Sequence, residues 1–264
     1  MVRDEAVFLP RWIAHWRKTV PPEHMFILVE GLDQVAPAEA EGCQVIALPR
    51  RAPGPGWDVS RWRMLNAFAN ALLERFDVVV LNDVDELVVL DPAAGGTLAQ
   101  ALTEARELGV ITPFAIEVIH RVDLEAEPLV AGEPVLGRRR YGRIHASYCK
   151  PCIVARPVRW SMGGHYSDFP TLNLSRKLFL FHLRAIDAEM LHRRQAARLS
   201  LVSDAEGRVR EGVAGGGWAR DAGNVDQFLQ SFQRSAPEVT DFTFDWQRQR
   251  IARSWREEAG TGMW

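Results

Sequence analysis

The sequence of 264 residues has no apolar run of the length that spans a bilayer, and its first residues lack the pattern of a secretory signal. That reading places the protein in the cytoplasm, with peripheral contact at a membrane surface left open. There is no charge excess of either sign. With 32 lysines and arginines against 34 aspartates and glutamates the formal net charge is −2, so nucleic acid is not an expected partner. Cysteine is scarce: Cys43 stands alone, and Cys149 and Cys152 make one Cys-x-x-Cys with no second pair to complete a zinc site. Ordinary thiols are the expectation. Internal repeats are absent. What remains, 47% hydrophobic and 25% charged, is the composition of a globular protein with length for one large domain or two small ones.

The most informative stretch is Asp77 to Leu90. It opens with Val78-Val79-Val80-Leu81, a β-branched run too short for a typical helix, which reads as a buried strand. It then breaks into Asn82-Asp83-Val84-Asp85-Glu86, with three carboxylates in four positions. Like charges this close raise one another's pKa, and a divalent cation resolves the conflict. Mg²⁺ and Mn²⁺ take hard oxygen ligands and commonly sit between one or two carboxylates and substrate phosphates. Asp83-x-Asp85 at the carboxyl end of a strand stands where open α/β sheets bind ligands. The competing reading is an acidic loop that caps the next element.

Around this stretch the pattern alternates. A helix is expected from about Leu9, with Leu9, Ile13 and Trp16 on one face and Pro10 in its first turn. Strands follow at Met25–Val29 and Gln44–Leu48, then a loop with Pro53, Gly54, Pro55 and Gly56 that is a candidate for mobility. Asp58 is the expected N-cap of a long helix reaching about Phe76. A helix from about Thr97 to Leu108 leads through Gly109 into the apolar run Val110 to Ile119. This order argues for a largely parallel sheet with helices on both faces.

From Val122 to Tyr148 periodicity fades. Arg138-Arg139-Arg140-Tyr141-Gly142-Arg143 reads either as a seat for a phosphate or an acidic acceptor, or as a solvated face. Strands are expected again at Cys152–Arg156 and Leu178–His182, with Gly163-Gly164-His165 between them. The rest is helical and arginine-rich, apart from Gly215-Gly216-Gly217-Trp218, which reads as a lid or, more simply, a flexible linker.

These pieces together resemble the GT-A glycosyltransferases, in particular the family-2-like branch related to family 92. The residues that carry the resemblance are Val2-Arg3-Asp4-Glu5-Ala6 with Leu9-Pro10-Arg11-Trp12-Ile13-Ala14-His15, Glu30-Gly31-Leu32-Asp33, Asn66, and Leu81-Asn82-Asp83-Val84-Asp85-Glu86-Leu87. Lys150-Pro151-Cys152-Ile153-Val154, His165 and Phe181-His182-Leu183-Arg184 extend it to about residue 187. The resemblance implies an α/β GT-A (Rossmann-like) domain over 1–205, its nucleotide-sugar half at 1–121 and its acceptor half at 122–205, with a helical extension at 206–264.

It also implies a metal-dependent transfer of a sugar from a nucleotide-sugar, a UDP-sugar first, to a hydroxyl of a glycan or lipid-linked acceptor, with inversion. Arg3, Glu5, Asp33 and Asn66 would hold the donor, Asp83 and Asp85 the Mn²⁺ or Mg²⁺ that bridges its diphosphate, His182 the same metal, and Arg184 the diphosphate. Breaking a sugar–phosphate bond releases growing negative charge that a metal and an arginine stabilise.

Three features depart from the family pattern. Only Met1 and Val2 stand where a first strand normally precedes the Arg-Asp-Glu motif, Asp4 replaces an asparagine, and the late Glu-Asp pair that supplies a base is missing. Glu117, His165 and Asp168 are the candidate replacements, His165 first. Two other functions share the layout: a sugar-phosphate nucleotidyltransferase, whose Gly-rich basic loop after the first strand is not seen, and a catalytically inactive nucleotide-sugar-binding protein.

Overall fold

The structure is a computed structural model, and it describes residues 1–130, 132–214, 216–233, 239, 241 and 243–259. Helix α1 (Phe8–Trp16) buries Phe8, Leu9, Ile13 and Trp16, the face expected from their spacing. Strands β1 (Phe26–Glu30) and β2 (Gln44–Leu48) pair in parallel, and Val2 adds a single parallel bridge to Val29 on the other edge of β1.

Helix α2 (Trp57–Leu72) starts one residue before the expected cap and stops short of Phe76. Its N-cap is Gly56 at φ 72°, a left-handed turn that a residue without Cβ takes without strain, and Asp58 instead lies in the first turn with its carboxylate on Arg61. The Pro53–Gly56 loop is tied down: Gly56 donates to the Gly212 carbonyl and Arg210 to that of Pro53.

The main sheet has six strands: β3 (Val79–Val80), β4 (Glu86–Leu90), β5 (Val110–Ile119), β6 (Gly142–Ile144), β7 (Ile153–Val154) and β8 (Leu174–Ala185). Their order is β3-β7-β5-β8-β4, with β6 also on β5. Here the expectation of a mostly parallel sheet needs correcting. Only β5 and β8 run parallel in this sheet, and the pairs β3–β7, β5–β7, β5–β6 and β4–β8 are antiparallel. The architecture is mixed α/β with a mixed main sheet. The reason is that β6 and β7 return from the irregular segment 122–148 without a helical crossover of the kind parallel neighbours need. Because β8 lies between β4 and β5, the two halves expected at 1–121 and 122–205 share one sheet.

Short helices α3 (Leu98–Thr103), with a Thr97–Gln100 capping box, and α4 (Ala105–Leu108) replace the single helix expected there. Helix α5 (Val135–Arg138) is one turn long. Helices α6 (Ala188–Val202), α7 (Ala222–Gln233) and α8 (Asp245–Ala259) follow; α6 and α7 share a core cluster, and Ile251 of α8 joins the main core. No helix among the described residues is long and apolar enough to cross a membrane.

Of the stretch 215–218 read as a lid or linker, residue 215 lies outside the described residues, Gly216–Ala219 make one 3-10 turn, and the Trp218 ring meets Trp57 edge-on at 5.4 Å. An apolar cavity of about 440 Å³ lies between β1 and β3, beside Met1 and Val2 and between α1 and α2. None of the candidate donor, metal or catalytic residues lines it.

Candidate active site

The site grows from one row of side chains across the sheet. The registers Glu86↔His182, Glu117↔His182 and Glu117↔Arg143 place residues of β4, β8, β5 and β6 side by side on one face. Glu86 and Glu117 are fully buried and His182 is 6% exposed. Ions buried this deeply must be paired. Glu117 is held by Arg143 at 2.7 Å and Arg184 at 3.0 Å, with His182 Nδ1 at 3.6 Å. Burial works against its ionisation, but His182 and the two arginines prevail and hold its carboxyl well below the usual range. A carboxylate so held is a poor base, which removes Glu117 from the candidates.

Glu86 is answered by Lys150. The buried ammonium lies 2.6 Å from Glu86 Oε1 and 2.7 Å from Asp83 Oδ2, and burial, together with Asp83, pushes the Glu86 carboxyl up in spite of Lys150. Burial also opposes the charge on Asp83, yet Lys150 and Arg61 outweigh it and hold that carboxyl down. Asp85 lies 3.8 Å from Arg194 of α6. The two aspartates of the motif are therefore met by cations from two different elements.

Of the metal ligands read from the sequence, Asp83 and Asp85 open the turn before β4, whereas His182 is turned toward Glu117 and packs its ring 4.2 Å from that of Tyr148. Among the described residues no three His, Cys, Asp or Glu side chains gather as a metal site. Asp83 and Asp85 are hard oxygen donors of the kind Mg²⁺ and Mn²⁺ take, with Asp83 Oδ2 already on Lys150. His182 does not fit as a third ligand.

The expected donor residues are found together in part. Arg3 donates to Asp33 at 2.7 and 3.0 Å and to the Glu30 carbonyl at the carboxyl end of β1. That bond, chiefly, holds the Asp33 carboxyl far down. Gly31, at φ 116°, makes the contact possible, since a Cβ there would stand 2.1 Å from the Arg3 guanidinium. Glu5 caps α1 through the Phe8 amide and pairs with Arg194, so its carboxylate is already committed. Asn66 clasps the backbone of Trp160, accepting from its N–H at 2.6 Å. In this structure its amide orders a loop.

The His165 ring lies 6.4 Å from that of Tyr148, which packs on His182. The His165 Nδ1 is 2.6 Å from the Ser147 carbonyl, so that nitrogen carries the proton and Nε2 is left as an acceptor. Burial pushes its pKa down to about 4. The ring lies over Gly163, where a Cβ would meet Nε2 at 2.4 Å, and Gly164 makes room in the same way for Trp62. Asp168, the other candidate base, is taken by Arg159 in a surface hairpin.

Sequence reasoning singles out neither Lys150 as a counter-ion nor Arg194 and Arg198. The signal available for the latter two was the i, i+4 spacing on an arginine-rich helix. Most of the Arg138–Arg143 cluster proves structural: Arg138 pairs with Glu133, and buried Arg139 donates to the Ile186 and Glu127 carbonyls. Cys149 and Cys152 are buried free thiols whose pKa values are raised chiefly by burial.

Comparison of the chain with protein-family models, with curated proteins and with solved structures finds no match.

Proposed function

We propose that the protein is a glycosyltransferase of GT-A type, moving a sugar from a nucleotide-sugar, a UDP-sugar first, to a hydroxyl of a glycan or lipid-linked acceptor, with inversion. The observation that carries this reading is that cations of distant elements gather on the Asp83–Asp85 turn after β3: Lys150 lies 2.7 Å from Asp83, Arg194 lies 3.8 Å from Asp85, and Arg184 is near enough to feel the charge of Asp85. Such a gathering of cations beside two carboxylates answers negative charge that grows on a leaving diphosphate.

Asp83 and Asp85 would hold Mn²⁺ or Mg²⁺, which supplies charge neutralisation to the diphosphate when bound. Arg184 is fixed by Glu117 at 3.0 Å and so presents its charge without having to reorganise. His165 is neutral at pH 7, and the burial that brings its pKa down to about 4 also makes it a weaker base than an ordinary imidazole. Its Nε2 can accept the acceptor hydroxyl's proton while that oxygen bonds to the anomeric carbon and the sugar–phosphate bond breaks. Arg3 and Asp33 would meet the base and ribose at the end of β1.

A second reading is a nucleotide-sugar-binding protein without catalysis, favoured by the missing late Glu-Asp pair that would supply a base. The discriminating experiment incubates the protein with a panel of UDP- and GDP-sugars and Mn²⁺ and measures release of the nucleoside diphosphate. Release that falls about a hundredfold in His165→Ala is the transferase result. Binding of nucleotide-sugar with no release from any of them is the result for a binding protein.

A further inference from the structure

Arg198 is the least committed cation near the Asp83–Asp85 turn. It lies one turn beyond Arg194 on α6, is partly buried, and faces the Trp218 ring at 5.3 Å. Among the described residues its guanidinium has no hydrogen-bond or ion-pair partner. Its charge is disfavoured by burial and by Arg194 and Arg184 close by, and favoured by Asp85 and Asp83, none of which reaches ion-pair distance. Arginine keeps its proton at any ordinary pH, so it cannot escape the cost of burial by neutralising. An anion from outside the chain would relieve it. Two neighbours have the same need: the Nε atoms of Arg184 and Arg194 are buried with no hydrogen-bond partner.

Arg184 of β8 and Arg194 and Arg198 of α6 are therefore near enough to act on one another's charge, with Arg194 3.8 Å from Asp85 of the Asp83–Asp85 turn. Guanidinium forks match phosphate oxygens better than any other side chain does. We propose that Arg198 and Arg194, with Arg184, form the seat of a phosphate-bearing group, in which Arg198 supplies the free fork and the others their spare N–H groups. The source of the phosphate, a donor diphosphate or a phosphate on the acceptor, rests on the transferase reading. The seat itself does not.

The test uses calorimetry on the full chain with three probes: inorganic pyrophosphate, UDP and mannose 6-phosphate. Arg198→Met should weaken pyrophosphate binding by about tenfold or more, the scale of losing charge-assisted hydrogen bonds. Arg198→Lys should weaken it by less, keeping the charge but losing the fork. Arg193→Met, which removes an exposed partner of Glu189 on the same helix, should bind as the parent does. Arg198→Met should unfold no earlier than the parent, since an unpaired partly buried charge is gone. If Arg198→Met fails to fold by circular dichroism, Arg198→Lys decides: unchanged pyrophosphate affinity overturns the seat.

A parent protein that binds none of the probes, or an Arg198→Met that binds all of them normally, overturns it as well. Loss confined to pyrophosphate and UDP assigns the seat to the donor, and loss with mannose 6-phosphate assigns it to the acceptor. Pyrophosphate binding that depends on Arg198, in a protein that releases UDP from no UDP-sugar, keeps the seat and removes the transferase. UDP release with an Arg198→Met that binds normally does the reverse.

Discussion

The ammonium of Lys150 sits between Glu86 and Asp83, 2.6 Å from the first and 2.7 Å from the second. It joins the buried start of β4 to the half-exposed carboxylate of the expected metal pair. Lys150→Met leaves the fully buried Glu86 without its counter-ion and should cost about 3–5 kcal/mol in urea unfolding. Adding Glu86→Gln to that variant should recover much of the loss. A double variant no better than the single would mean that Lys150 stabilises mainly through its stem.

The Gly163–His165 contact makes a sharper test of the site. At φ 78°, with a Cβ that would stand 2.4 Å from the His165 ring, Gly163→Ala should cost about 1–2 kcal/mol and displace the imidazole. Turnover should fall with it, while nucleotide affinity stays within about twofold of the parent. Equal losses in both would show that Gly163 holds more than His165.

His165 also gives the protein a pH signature. Burial lowers its pKa from 6.5 to about 4, so below pH 6.5 the unfolded chain binds a proton that the folded imidazole refuses. Stability should therefore be full above about pH 6.5 and decline as pH falls toward 4. Melting temperatures of His165→Gln across the same range should decline less. The depressed Glu117 carboxyl acts in a lower window, below its ordinary 4.5, and does not mask the effect.

Because His182 is turned toward Glu117 and Tyr148, His182→Ala should leave Mn²⁺ affinity within about twofold of the parent and lower stability through lost packing. Electron paramagnetic resonance of Mn²⁺ reads the affinity directly. A loss of about tenfold or more would make His182 a ligand that the metal itself draws in.

Local pattern carried much of the fold. The face of α1, strand β2 and the whole of β5 stand where periodicity places them, because each is set by its own residues. Strand direction was not legible: whether β7 runs with or against β5 depends on how an irregular segment returns, and no local signal encodes that. Strand β8 begins four residues before the expected Leu178, since Leu174-Ser175-Arg176-Lys177 have too little apolar alternation to read as a strand.

The site divides in the same way. The carboxylates of the Asp83–Glu86 turn announce themselves by clustering, and the lone Glu117 in an apolar run signals a buried partner. Their cations come from Arg143, Lys150, Arg184 and Arg194, far along the chain, and only the tertiary fold brings them in. Glu5 and Asn66 show the opposite error, motif residues whose side chains are spent on a helix cap and a loop.

The central claim, that the Asp83–Asp85 turn receives a nucleoside diphosphate through a divalent ion, is tested most directly by titrating UDP into the protein in Mn²⁺ and again in EDTA, alongside Asp85→Ala. The parent should bind UDP about tenfold or more tightly in Mn²⁺ than in EDTA, and Asp85→Ala, folded by circular dichroism, should lose that difference. UDP binding that is equal in Mn²⁺ and EDTA, and unchanged in Asp85→Ala, would contradict it.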